Sequence, residues 1–189
     1  MFIRQIFKLL LLFAFVACNE RQQSNPATLH TSSRVADTVK HATIPPVTNP
    51  FGFDTAFEIS KQHARFMVTA YLNTDNLLDT AVLIRHKLKG KDALFIKHSA
   101  TASSFLLKSG KDVGIDFDDF NWVGQFEVIK KGTTIWNNVI NGEIVNEHQV
   151  PDSNKIRLKN DGIFIHEDEG GGGGIIYFKN EKYVCVQQD

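Results

Sequence analysis

The chain has 189 residues, 42% of them apolar and 22% charged, with 21 basic residues against 21 acidic. These proportions belong to a folded domain rather than a disordered, collagenous or disulfide-dense chain, and the length suits one domain better than two. There is no basic surplus to neutralise a polyanion, which argues against nucleic acid as a partner.

Residues 1–8 place Arg4 and Lys8 among Phe and Ile, and residues 9–17 are an uncharged apolar run, LLLLFAFVA. A membrane-spanning helix needs roughly 20 apolar residues, so this shorter run reads as the core of a signal peptide. It ends at Phe15-Val16-Ala17-Cys18, which resembles the lipobox of bacterial lipoproteins, with Phe15 in place of the usual Leu. The resemblance implies cleavage after Ala17 and lipidation of Cys18, giving an exported chain held in the membrane. Each buried acyl methylene contributes about 0.8 kcal/mol, so more than one chain anchors stably. Asn19 follows the cysteine where Asp would signal retention at the inner membrane, so the outer membrane is the expected location.

Residues 18–50 are polar and contain Pro26, Pro45, Pro46 and Pro50. They hold too little apolar surface to offset the entropy of ordering, and they read as a disordered tether behind the lipidated cysteine. The β-rich domain is expected over residues 51–189. Its one cysteine, Cys185, lies in an alternating run and reads as a buried, inert thiol.

Within the domain, residues 54–63 read as one short helix with Phe57 and Ile59 facing inward. Strands are expected at 65–72, 80–86, 93–98, 104–108, 124–130, 133–140, 155–159, 163–166, 175–178 and 182–186. Residues 87–92 form a hairpin turn between the second and third of these, and 179–181 join the last two. Short strands separated by Gly, Asn and Asp, without a 3.6-residue period, predict a single all-β domain, an antiparallel meander or sandwich.

Between Tyr71 and Asp79 the oxygen-bearing side chains of Asn73, Asp75 and Asp79 stand at positions 3, 5 and 9 of a loop that runs into a strand. That spacing aims oxygens at one centre, as calcium requires. It resembles the D-x-N-x-D-G-x-x-D-x-A-V loop of FG-GAP and VCBS-type repeats, with Tyr71 in place of the first Asp and Asn76 in place of the Gly. The resemblance implies calcium as the cation and Asn73, Asp75 and Asp79 as its ligands; no other cofactor is implied. Asn76 tolerates the left-handed backbone that the turn needs, so the expected outcome is the turn's shape kept without the metal. With the Asp116–Trp122 stretch and the C-terminal strand pair, the domain as a whole resembles a group of Bacteroidetes lipoproteins, a likeness that brings no activity with it.

Asp116, Asp118, Asp119 and Trp122 are interleaved with Phe117 and Phe120, and they form the candidate partner-binding segment. The competing reading packs the aromatics into the core and leaves the carboxylates in water. The domain's histidines, His63, His86, His98, His148 and His166, lack metal-ligand spacing and read as surface or strand-end residues. There is no G-x-S-x-G elbow, and the glycines at 170–174 precede a strand-like run rather than a helix, so they read as a flexible hairpin connection. No catalytic residue is assigned. The expected function is a non-enzymatic, lipid-anchored envelope protein that binds a protein or a glycan. An immunity or inhibitor lipoprotein that blocks a toxin or hydrolase is the alternative, and a hydrolase with an unrecognised site is third.

Overall fold

The computed structural model describes residues 49–188. The expected signal peptide, the expected lipidation site Cys18 and the expected tether up to residue 48 lie outside the described residues. Thirteen strands follow in order: β1 (Phe57–Ile59), β2 (Met67–Ala70), β3 (Asp79–His86), β4 (Asp92–Lys97), β5 (Ser104–Leu107), β6 (Gln125–Ile129), β7 (Thr134–Ile135), β8 (Val139–Ile140), β9 (Glu143–Ile144), β10 (Ile156–Arg157), β11 (Gly162–His166), β12 (Gly173–Lys179) and β13 (Lys182–Gln188). The domain is all-β, as its alternation and turn chemistry predict, and all the pairings are antiparallel.

One sheet has β3 at its centre, with β4 and then β5 on one side and both β1 and β2 along the other edge. The second sheet runs β13-β12-β11-β6, and the pairs β7–β10 and β8–β9 stand apart. Between the two sheets Leu83, Leu94 and Ile96 meet Phe126, Ile163, Ile165 and Ile176, all essentially buried. The outer face of the first sheet, with Val82, Ile84 and Phe95, is covered by Phe51, Phe53 and Phe57. The outer face of the second, with Ile175, Tyr177 and Val186, is covered by Ile135 and Leu158. Strands buried on both faces read as continuous apolar runs, which is why β3 and β4 lose the strict alternation of a solvated sheet.

Two expected elements differ. Residues 54–63 hold the short strand β1 among turns and bends rather than a helix: Glu58 stands opposite Arg85 and Ile59 opposite Ile84, and three one-turn 3₁₀ segments are the helical structure among the described residues. Residues 133–140 are broken into β7 and β8, because the Asn137 side chain accepts the Val139 N–H at 3.0 Å and turns the chain. The β12–β13 hairpin carries Asn180 and Glu181 at φ 51° and 62°, the doubly left-handed pattern of a tight two-residue turn.

Between β1 and β2 the chain leaves the edge of β3 and buries His63 and Ser60 around Asp92 of β4. Asp92 Oδ2 accepts from Ser60 Oγ and from His63 Nε2, each at 2.7 Å, and Oδ1 accepts from Arg85 at 2.9 Å. The other ring nitrogen of His63 lies 2.6 Å from the Val123 carbonyl oxygen, so the ring bridges Asp92 and the segment before β6. Burial alone would push the Asp92 carboxyl up. Hydrogen bonds from His63 and Ser60, with the charges of His63 and Arg85, outweigh it and hold the group below the usual carboxylate range. His98 is also buried, with Nε2 2.7 Å from the Tyr183 hydroxyl. These two histidines are therefore interior groups rather than surface ones.

The glycine run is only partly a connection. Gly170 and Gly171 turn the chain at positive φ, but Gly173 and Gly174 belong to β12 and are buried. A Cβ on Gly174 would overlap Cys185 Sγ and lie 2.7 Å from the Val186 carbonyl oxygen. Burial pushes the Cys185 thiol up to about 12, which leaves it inert as a nucleophile.

Two outcomes follow. Asp92→Ala strands buried donors and should lower the unfolding free energy by about 3–5 kcal/mol in urea titrations, a cost typical of breaking a buried ion pair. Because the Asp92 carboxyl is lower in the folded state, its contribution is complete above the unfolded value, near pH 4, and fades as pH falls below that; the acid limb of a stability–pH curve should flatten in Asp92→Asn. Gly174→Ala should cost about 2 kcal/mol through overpacking, whereas Gly170→Asn, at an open left-handed position, should be close to neutral in the same titration.

Candidate functional site

The loop at 71–79 keeps its expected turn, with Asn76 at φ 61°. Local side chains shape it: Asn73 Oδ1 accepts the Asp75 N–H and Asp75 Oδ1 accepts the Leu77 N–H, each at 2.8 Å. Asp79 is fully buried and closes the loop, with Oδ2 accepting the Leu72 N–H at 3.2 Å and Oδ1 the Ser99 N–H at 2.9 Å. A second buried carboxylate, Asp161, holds the loop from outside. It accepts the N–H groups of Tyr71 at 3.2 Å and Lys131 at 2.9 Å, and Lys130 Nζ lies 3.3 Å away. Burial raises its pKa, but the two backbone N–H groups and Lys130 more than reverse this, so it stays ionised below the usual range.

The fit of calcium to this loop can be judged atom by atom. Asp75 Oδ2 is buried without a hydrogen-bond partner, which leaves one oxygen free. Against it, both Asp79 oxygens already serve backbone N–H groups, and Tyr71 brings no carboxylate. Among the described residues no cluster of three His, Cys, Asp or Glu is gathered to hold a metal ion. Calcium takes six to eight oxygens, and this donor set does not supply them. Asn73, Asp75 and Asp79 are thus brought together as the hydrogen-bonding frame of a turn.

The segment from Asp116 to Trp122 divides by chemistry. Phe120 is fully buried in the intersheet core. Trp122 stacks on Phe117 with ring centroids 4.1 Å apart, and its indole N–H donates to the Asp119 carbonyl at 2.8 Å. Asp119 Oδ1 accepts the Asn121 N–H, and Asn121 in turn accepts the Asp92 N–H, so this end of the segment is tied to the buried carboxylate. Asp116 and Asp118 face solvent on either side of Lys111, whose Nζ lies 3.4 and 2.7 Å from them. The hydrogen bond from Lys111 lowers the Asp118 carboxyl, and the Lys111 ammonium is raised in return. Asp118 also lines a groove of about 490 Å³ with Phe57, His86, Lys89, Lys91 and Lys108. The aromatic half of the segment is packing; the solvent-facing half is the pair of carboxylates.

Sequence reasoning did not anticipate the Ser60–His63–Asp92 knot or Asp161 as a brace, because the partners lie 29 to 90 residues apart. Asp161 carried one usable signal, its place in the turn Asn160-Asp161-Gly162.

Thermal unfolding of the full chain should give the same midpoint, within about 1 °C, in 10 mM calcium and in chelator. A site with a dissociation constant of 10⁻³ M would add about 1.4 kcal/mol, a rise of several degrees. Such a rise, abolished by Asp75→Ala, would establish a working calcium loop. Comparison of the chain with protein-family models, with curated proteins and with solved structures finds no match.

Proposed function

We propose that the chain is a lipid-anchored envelope protein, carried to the outer membrane by its leader and Cys18, whose β domain binds a protein or glycan without catalysing a reaction. The observation that carries this reading is the use made of the buried polar groups. Asp92, His63, Asp79 and Asp161 each spend their side-chain polar atoms on partners within the fold, and His98 spends Nε2 on the Tyr183 hydroxyl. Acid–base chemistry needs such groups turned toward a substrate with their pKa values set apart. Here their hydrogen bonds make a stiff frame, and the free chemistry is left on the loops, where binding surfaces usually lie.

A second reading, an inhibitor or immunity lipoprotein, draws on Asp116 and Asp118. Two exposed carboxylates at the rim of a groove suit the basic cleft of a toxin or hydrolase.

Affinity capture from envelope extracts with the full chain should distinguish these. Retention on polysaccharide supports the glycan reading; one stoichiometric hydrolase or toxin, lost with Asp116→Ala and Asp118→Ala together, supports the inhibitor reading. The double variant should leave the melting temperature unchanged, because both side chains are solvated. Turnover of an envelope polymer by the purified chain would overturn the proposal.

A further inference from the structure

At the end of the sandwich where the 71–79 loop lies, the β10–β11 turn and the β12–β13 hairpin enclose a pocket of about 340 Å³. Arg157, Lys159 and Lys179 line it, and no carboxylate does. None of the three cations is in an ion pair among the described residues. In a chain with equal numbers of acids and bases, three unpaired cations around one concavity are a local excess that the overall charge conceals.

The wall between them is suited to a polyhydroxylated ligand. Thr74 and Asn160 supply a hydroxyl and an amide. With the Asn160 amide turned to the orientation that satisfies both of its atoms, its nitrogen donates to the Lys159 and Asn73 carbonyls at 3.0 and 3.1 Å, which ties the turn to the loop. Tyr177 is only 8% exposed, yet it lines the pocket and its hydroxyl has no hydrogen-bond partner among the described residues. That hydroxyl is not among the buried atoms left without a partner, so it reaches solvent and is open to a ligand. The volume lies at the lower end of small-molecule sites and suits one sugar unit.

We propose that this pocket binds an acidic sugar, with the carboxylate or phosphate held by Arg157, Lys159 and Lys179 and the ring hydroxyls met by Thr74, Asn160 and Tyr177. This deepens the glycan form of the binding reading and rests on it. A carboxylate and a phosphate present the same anionic chemistry to an Arg and two Lys, and the Arg can engage either through two parallel hydrogen bonds.

The test is a chemical-shift titration of the full chain with glucuronic acid and glucose 6-phosphate, using glucose and inorganic phosphate as controls. At least one acidic sugar should give saturable shifts at Thr74, Asn160 and Tyr177, and glucose should give none. Arg157→Gln with Lys159→Gln should weaken that binding about tenfold or more, as expected when charge-assisted hydrogen bonds are lost. Lys179→Gln, on a separate strand, should weaken it independently and keeps the test valid if the first variant folds poorly. Added salt should weaken it too. Binding unaffected by these variants, or no binding by either acidic sugar, overturns the assignment. Inorganic phosphate binding as tightly as glucose 6-phosphate overturns the saccharide part of it. A partner captured from envelope extracts while both sugars fail would leave the binding function standing and remove this pocket from it.

Discussion

A carboxylate buried without compensation costs several kcal/mol, and Asp92 is fully buried. Its compensation comes from two directions at once, Ser60 and His63 from the excursion between β1 and β2 and Arg85 from β3, while the Asp92 backbone N–H separately donates to Asn121 Oδ1. His63 extends the connection to the carbonyl of Val123, two residues before β6 begins. One ionised group thereby joins the first sheet to the segment that crosses to the second. The excursion at 60–66 interrupts the edge of β3, and its donors are what make the burial of Asp92 tolerable. Removing any one of them leaves the rest of the knot short of a partner.

The same logic recurs at the far end of β3. Asp79 begins the strand and closes the 71–79 loop, while Asp161 clamps that loop to the β6–β7 turn and the β10–β11 turn. An eight-residue strand spans roughly 25 Å, so Asp92 and Asp79 anchor opposite ends of the first sheet. Between them the apolar layers supply the bulk of the stability without fixing direction. The buried carboxylates select which loops meet, since each is satisfied only in one arrangement of N–H groups. Rigid loop ends follow from this, and rigidity is what the proposed binding function needs from a scaffold.

Most of the ladder was legible in the sequence because its signals are local. The turn at 87–91 and the tight Asn180-Glu181 connection lie between apolar, strand-like runs, and both hairpins form where expected. β1 was hidden because Phe57 and Ile59 are too few to distinguish a two-residue period from a helical one. The interior histidines were illegible for a different reason: His98 meets Tyr183 across 85 residues, and no local pattern encodes that distance. The 71–79 loop marks the limit of spacing arguments. Oxygens at positions 3, 5 and 9 arise equally when side chains cap backbone N–H groups within a turn, and geometry alone separates the two uses. Gly174 shows a similar ambiguity, since a glycine demanded by a neighbouring carbonyl looks in sequence like one that confers freedom.

Net charge near zero also hides how the charge is arranged. Asp116 and Asp118, with Lys111 between them, lie toward the β3–β4 hairpin end, beside the groove that Lys89 and Lys91 help to line. Arg157, Lys159 and Lys179 gather at the other end, near the loop that Asp79 closes. Surfaces separated by the length of a strand exceed a Debye length at physiological salt, so each presents its own field to a partner. Sites so far apart and sharing no partner residue should also respond additively to substitution. The protein and glycan readings therefore need not compete for one surface: a macromolecular partner held at the Asp116 and Asp118 end would leave the cationic pocket open to a sugar at the other.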